Sequence, residues 1–143
     1  MADEASIRSS MIIKKGSLDY NSKPTYFTAD VSSAVAPTPG GITVSTAGTD
    51  VVLTELTTPG LCRLMNLDTT NYVQVGLYDP ETVKFYPLLE LMPGESYIVR
   101  LSRDIQWEYG TGAGTGTTGA ETNILRLKAI GGNCECIVEA FEK

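Results

Sequence analysis

Apolar and polar residues alternate with a period of two along most of this chain. In NYVQVGLY, which ends at Tyr78, the side chains of Val73, Val75 and Leu77 fall on one side of an extended strand. The same spacing recurs in ESYIVRL, NILRLKAI and NCECIVEAF. Alternation of this kind predicts strands that turn one face toward a core. The abundance of Val, Ile, Thr and Tyr in these runs favours strands as well.

Turn-forming residues separate the apolar runs at short intervals. MPGE has Pro then Gly at its centre, which suits a type II turn, and YDPET suits a type I turn. We therefore predict strands near residues 7–14, 25–29, 42–46, 50–56, 61–67, 71–78, 84–91, 95–101, 104–109, 122–130 and 134–141. Short, evenly spaced strands without an amphipathic helix favour an all-β fold, either a sandwich or a barrel.

A chain of 143 residues is long enough for one independent core. Its first forty residues are more polar and less regular than the rest. We expect residues 1–40 to form an irregular N-terminal arm or extended segment with one or two strands, and residues 41–143 to form the β-sandwich domain. The stretch APTPGG, residues 36–41, has the composition of a linker.

The segment YGTGAGTGTTGAE, residues 109–121, contains a G-x-G-x-x-G pattern at Gly114, Gly116 and Gly119. A dinucleotide-binding fingerprint requires a helix directly after the glycines. The residues that follow, AETNILRLKAIGG, alternate as a strand does. The pattern therefore indicates a flexible connection between two strands and not a phosphate site.

Seventeen acidic residues against eleven basic ones give a net charge of −6. Nucleic-acid binding depends on concentrated positive charge, so we expect no direct nucleic-acid partner. No apolar run approaches the about 18 residues that cross a bilayer, so we expect no membrane partner. The first residues, MADEASIRSS, lack the basic and apolar regions of a signal peptide, so we expect a protein made and kept in a cytoplasm.

Histidine is absent from the sequence, which removes the usual general base and the commonest zinc ligand. We therefore expect no enzyme and no cofactor. Cys62, Cys134 and Cys136 could supply three thiolates to a metal, but a structural zinc site takes about four ligands. Because Cys134, Cys136 and Val138 occupy every second position and so share one face of a strand, we expect the cysteines to be small buried core residues instead.

Several large side chains lie opposite the predicted core positions. The last strand and the run KFYPLLELM are apolar on both sides. Such a sheet is covered by a further layer of the same chain or by another subunit. Outward aromatic residues also suit a sugar platform. The candidate interface residues are Met11, Ile13, Tyr72, Tyr78, Tyr86, Trp107, Ile137 and Phe141.

The stretch RLMNLDTTNYVQVGLYDPETVKFYPLLELMPGESYIVRL, from Arg63 to Leu101, resembles small virion proteins of tailed bacteriophages. The resemblance rests on an N-L strand end, a Y-V-x-V-G strand, an F-Y-P-L strand and an L-x-P-G-E turn, in that order. It covers under a third of the chain. Among those virion proteins, the small all-β members most similar to this chain are capsid decoration, or cement, proteins.

The resemblance implies a jelly-roll-like antiparallel sandwich that forms a homotrimer on the major capsid protein. It implies a structural role in the virion capsid without catalysis, after synthesis in the host cytoplasm. A tail, baseplate or adaptor component is an alternative within assembly. A carbohydrate-binding β-sandwich module, with Tyr72, Tyr78 or Trp107 as stacking platforms, is an alternative from another class.

Overall fold

The computed structural model describes residues 5–31, 37–102 and 124–142 of the chain. These residues form twelve β-strands and no helix long and apolar enough to cross a membrane. Contacts divide the chain into two compact units, residues 1–34 and residues 35–143, where we had placed the boundary between residues 40 and 41. Each unit is described by itself.

The N-terminal unit is built from two ladders of antiparallel strands. Its strands are β1 (Ala5–Ser9), β2 (Ile12–Lys15), β3 (Leu18–Asn21) and β4 (Thr25–Ala29). β1 pairs with β4 and β2 pairs with β3. Between the ladders, Ser22 N–H donates to the carbonyl oxygen of Met11 at 2.8 Å, and Met11 N–H donates to Ser22 Oγ at 2.7 Å. The two ladders thus form one long hairpin.

Gly16 makes the tip of this hairpin possible. It lies first in the two-residue connection between β2 and β3 and has a φ of 58°. Glycine at that place with positive φ is the chemistry of a tight hairpin turn. We had predicted one strand over residues 7–14 and none over residues 18–21. Asp and Asn are depleted in strands, and pairing with β2 outweighs that weak local preference.

The described residues of the second unit form two four-stranded antiparallel sheets. Its strands are β5 (Thr38–Val44), β6 (Thr49–Asp50), β7 (Pro59–Asn66), β8 (Tyr72–Asp79), β9 (Lys84–Leu91), β10 (Ser96–Arg100), β11 (Ile124–Ile130) and β12 (Cys134–Glu142). One sheet has the order β10-β7-β12-β5 and the other β6-β11-β8-β9. An antiparallel β-sandwich is therefore confirmed. The jelly-roll topology stays a prediction.

The core lies between the two sheets. Each central strand contributes alternate side chains to it, as the period-two pattern predicted for β8, β11 and β12. Facing residues pair across neighbouring strands, as Val75 does with Leu127 and Leu64 with Val138. The buried side chains of this core are Val44, Val51, Leu53, Leu56, Cys62, Leu64, Val73, Val75, Leu91, Leu101, Leu125, Leu127, Ala129, Cys134, Cys136, Val138 and Ala140.

The three cysteines are buried free thiols, which confirms the interpretation that they are core residues. Burial raises the pKa of Cys62 and of Cys136 to about 12. Both side chains are therefore protonated and apolar near neutral pH, as core packing requires. Within the described ranges, no group of three His, Cys, Asp or Glu side chains is arranged to hold a metal ion.

Two expected segments differ from the structure. Residues 51–56 are not a strand, because β6 ends at Asp50, yet Val51, Leu53 and Leu56 are buried in the core. An apolar run can fill a core as a loop, and here Val51 N–H donates to the carbonyl oxygen of Leu125 at 2.9 Å. The expected linker over residues 36–41 is also wrong in part, because β5 begins at Thr38 and pairs with β12. The expected strand over residues 104–109 lies outside the described residues.

A β-bulge in the β8–β9 ladder depends on Gly76. The register shifts between Val75 and Gly76, and Gly76 then lies opposite Pro87. A Cβ atom at Gly76 would collide with the carbonyl oxygen of Tyr86 and lie 2.8 Å from Pro87 Cα. Only glycine permits this close approach of two backbones.

We predict that Gly76→Ala lowers the free energy of unfolding by about 1–3 kcal/mol, because the rigid β9 backbone must move to admit the methyl group. Chemical denaturation followed by tryptophan fluorescence measures the change. Gly41→Ala is the matched control, since no atom lies within 4 Å of its added Cβ. Equal stability of Gly76→Ala and the wild type would contradict the packing described for this bulge.

Candidate interaction surface

Tyr72 and Tyr78 lie at the two ends of β8 on the outer face of their sheet, half-buried. Five residues of strand lie between them, so their backbones are about 20 Å apart. They therefore cannot form one compact stacking platform.

One face of the Tyr78 ring is already occupied. The guanidinium carbon of Arg126 lies 3.2 Å from the ring centroid, which is a cation–π contact. The same guanidinium is held by Asp50, with Nη2 donating to Oδ2 at 3.0 Å and Nε donating to Oδ1. Asp50 and Tyr78 come from β6 and β8, on either side of Arg126 in β11. This cluster ties the three strands together on the outer face.

Ile137 and Phe141 lie on the other sheet, on the outer face of β12 and half-buried. Ile137 pairs with Met65 across the β7–β12 ladder. Beside them, Arg63 Nη1 and Glu139 Oε2 form an ion pair at 2.9 Å. The structure therefore places these two candidates on a different face from the β8 tyrosines.

Tyr86 belongs to a third surface, at one side of the sandwich. Among the described strands, β9 and β10 are the terminal strands of different sheets, and the short turn around Gly94 connects them. Tyr86 and Leu89 lie opposite Leu77 and Val75 in the β8–β9 ladder, on the face of the sheet that is directed toward the core. They nevertheless remain 49% and 40% exposed. We call this the β9–β10 side, defined by Tyr86, Leu88, Leu89, Tyr97 and Ile98.

Met11 and Ile13 lie on the N-terminal hairpin and are exposed. Their neighbours on the paired strands are exposed too, and Tyr26 shows 66% of its surface. We call this group the hairpin surface, defined by Met11, Ile12, Ile13, Leu18, Tyr20, Tyr26 and Phe27. Trp107 and the glycine segment at residues 109–121 lie outside the part of the chain that the structure describes.

The structure also exposes large apolar residues that the sequence patterns did not single out. Leu88 is 68% exposed, because the β8–β9 bulge turns it away from the core, and Ile98 is 51% exposed on β10. The apolar composition of KFYPLLELM on both sides was the available signal for Leu88. Nothing in ESYIVRL marks β10 as a terminal strand, because strand order depends on contacts between distant segments.

A shallow depression of about 260 Å³ lies along β8 and β9, lined by Gln74, Pro87, Leu88, Leu89 and Glu90. Ligand pockets of ordinary size occupy about 300–1,000 Å³ and enclose most of the ligand. The volume of this depression lies just below that range.

Comparisons with family models, with curated proteins and with solved structures found no match to this chain.

The turn from β8 to β9 contains a strained residue. Val83 has a φ of 54° and is 73% exposed. A branched side chain in the left-handed region costs about 1–2 kcal/mol. The side chain of Val83 is not buried in the isolated protein, so packing does not offset this cost.

We predict that Val83→Asn raises the free energy of unfolding by about 0.5–1 kcal/mol, because Asn tolerates the left-handed conformation better than Val does. Val52→Asn is the matched control, since Val52 is 51% exposed and does not have a positive φ. Thermal and urea unfolding of both variants measure the difference. A gain of the same size at both sites would contradict relief of backbone strain.

The same turn depends on an ionised aspartate. The Thr82 hydroxyl donates to Asp79 Oδ2 at 2.5 Å, and the N–H groups of Glu81 and Thr82 donate to Oδ1 at 2.9 and 3.3 Å. These hydrogen bonds, that of the Thr82 side chain above all, lower the pKa of Asp79 below its ordinary value.

We predict that Asp79→Asn makes stability less sensitive to acid. A lowered folded-state pKa contributes stability above the unfolded value of about 3.9, and this contribution is lost as the pH falls through the folded-state pKa. Urea unfolding at pH 7 and pH 2.5 measures the loss. Glu81→Gln, which changes an exposed carboxylate on the same turn, is the control. The idea fails if both variants lose as much stability as the wild type.

Proposed function

We propose that this protein is a non-catalytic structural component of a bacteriophage virion, a decoration protein that stabilises the capsid by bridging major capsid subunits. The resemblance of residues 63–101 to small phage virion proteins supports the proposal. The antiparallel sandwich is the fold that this resemblance implies, and it is compatible with the role.

One observation carries the proposal, namely the exposed hairpin surface of the N-terminal unit. A two-stranded hairpin is marginally stable by itself in water, since it has no second layer to bury its side chains. Here the ladder runs from Ala5 to Ala29, and apolar side chains are exposed on both of its faces. A long hairpin of this kind gains stability when another chain covers it. Attachment to a shell supplies that cover.

The charge distribution favours a protein surface as the partner. The hairpin residues 5–31 contain Arg8, Lys14, Lys15 and Lys23 against Asp19 and Asp30, a net charge of +2. The whole chain has a net charge of −6. A mildly basic, apolar hairpin on an otherwise acidic protein suits an acidic, apolar patch on a neighbour, since opposite charges steer association and apolar burial stabilises it.

A tail, baseplate or adaptor role depends on the same hairpin and differs only in the partner. A carbohydrate-binding role receives less support, because Arg126 covers one face of Tyr78 and a strand's length separates Tyr78 from Tyr72. We propose the major capsid protein as the partner because the resemblance of residues 63–101 to capsid decoration proteins implies it.

We predict that the double change Ile12→Thr with Leu18→Thr weakens binding to shells that lack this protein by about tenfold or more, because apolar anchors at interface centres are each worth over about 1 kcal/mol. Ile12 and Leu18 are 63% and 54% exposed. Threonine preserves strand preference, so we expect unfolding of the isolated protein to change by less than about 0.5 kcal/mol. Co-sedimentation with the shells measures binding.

Val52→Thr, on the sandwich, is the matched control and should bind as the wild type does. Absence of wild-type binding to the shells would overturn the decoration role. Wild-type binding that the hairpin variant retains in full would show that another surface makes the contact.

A further inference from the structure

Among the described residues the two sheets have four terminal strands, and three of them carry features that discourage pairing with another chain. β5 contains Pro39, β9 contains Pro87 next to a bulge, and β6 is only two residues long. Proline, bulges and short length are the usual protections of a sheet edge. β10 has none of them, because its five residues pair with β7 without proline and without a register shift.

The hydrogen bonds at the ends of β10 show which of its backbone groups point away from β7. Asn66 N–H donates to the carbonyl oxygen of Glu95 at 3.0 Å, and Leu101 N–H donates to that of Gly60 at 2.9 Å. In an antiparallel ladder these groups alternate along the strand. The N–H and C=O groups of residues 95, 97, 99 and 101 therefore point toward β7. The N–H and C=O groups of Ser96, Ile98 and Arg100 point to the free edge, where no described strand pairs with them.

We propose that β10 pairs with β10 of a second copy of this chain, antiparallel, about a two-fold axis that passes between Ile98 and Ile98 of the second copy. A two-fold axis perpendicular to a sheet keeps each face on its own side. Residues opposite one another must then belong to the same face of the sheet. This is possible only if the residue at the centre of the pairing lies opposite its own copy. A homodimer results in which two four-stranded sheets become one sheet of eight strands.

The register centred on Ile98 satisfies more backbone groups than its neighbours. It places Ile98 opposite Ile98 of the second copy and Ser96 opposite Arg100 in both directions. All three outward-facing residues of each strand then exchange hydrogen bonds, which gives about six between the copies. A register centred on Tyr97 or on Val99 pairs only two of these residues and gives about four.

The side chains of β10 are self-complementary in this register. On the outer face, Ile98 packs against its own symmetry mate, and the single charged residue, Arg100, lies opposite the neutral Ser96. On the inner face, Tyr97 lies opposite Val99, an aromatic and β-branched pair of the kind that stabilises sheets. No like charges face each other, and the half-exposed Tyr97 and Ile98 both become buried.

The same axis brings together the β9–β10 sides of the two sandwiches. Tyr86 and Leu89 of each copy are on the core-directed face of β9 and remain exposed. In the dimer they lie where the two sandwiches meet. A second copy accounts for all of these exposed residues with one symmetric contact. The trimer expected from the phage resemblance would instead require a head-to-tail contact between different surfaces.

Position 96 offers a direct test by charge, because it lies opposite Arg100 of the second copy twice in each dimer. Ser96→Arg should weaken dimerisation by about fivefold or more, and Ser96→Glu should strengthen it by a similar factor. Sedimentation equilibrium of the full chain from low to high micromolar concentration measures both. Opposite shifts support the proposal. A monomer at every concentration, a trimer, or equal effects of the two changes would overturn it.

A second pair of variants tests the backbone hydrogen bonds. Ile98→Pro removes an outward N–H group and leaves the β7 ladder in place, so it should abolish the dimer while the monomer remains folded by circular dichroism. Ile98→Val is the matched control, since it retains the N–H group and a branched apolar side chain. Dimerisation of Ile98→Pro at the wild-type level would contradict pairing along this edge.

The contact is independent of the decoration role. Ser96→Arg leaves the hairpin surface unchanged, so binding of this variant to shells reports on the proposed function separately from its state of association.

Discussion

The fold depends on the packing of two four-stranded sheets against each other. Each sheet turns an apolar face toward the other, and the side chains that meet there are almost completely shielded from water. Burying one aliphatic side chain of this size contributes about 1.5–3 kcal/mol, so the shared core outweighs any single polar contact in the molecule. The buried Asn66 shows how the polar parts conform to it. Its Nδ2 donates to the carbonyl oxygens of Asn71 and Leu91 at 2.9 and 3.1 Å, which ties β7 to the β7–β8 loop and to the end of β9.

Two groups of exposed apolar side chains, one in each unit, are proposed to bind other chains. At the β9–β10 side no described strand continues either sheet, and residues such as Leu89 and Tyr97 point inward but remain exposed. The N-terminal hairpin has a ladder of hydrogen bonds and exposes apolar side chains from both of its faces. Both features leave apolar surface that further chains can cover. The buried thiols and the turn-capping carboxylate of Asp79 are parts of the architecture.

Much of the sandwich could be predicted from the sequence, because alternation reports on a local property. Val73, Val75, Leu125, Leu127 and Cys136 face the core as their spacing predicts. Alternation fails where burial occurs without regular structure, as at Leu53. It also fails where a weak strand sequence is held by its neighbour, as in β3.

The interaction surfaces could be predicted only in part. A sequence shows that KFYPLLELM is apolar on both sides, but it does not show that β9 and β10 end their sheets, since strand order depends on pairing between distant segments. Tyr78 illustrates the opposite case. Its outward position suggested a free aromatic face, and the structure shows that face stacked under Arg126.

Amide hydrogen exchange tests the central claim most directly, when the free protein at low micromolar concentration is compared with the protein in its assembled state. The account predicts strong new protection on assembly along the hairpin and at the outward-facing amides of Ile98 and Arg100, while the amides of central strands such as β12 exchange slowly in both states. Unchanged exchange at the hairpin and at β10 on assembly would contradict the claim that this protein works by covering those strands with further chains.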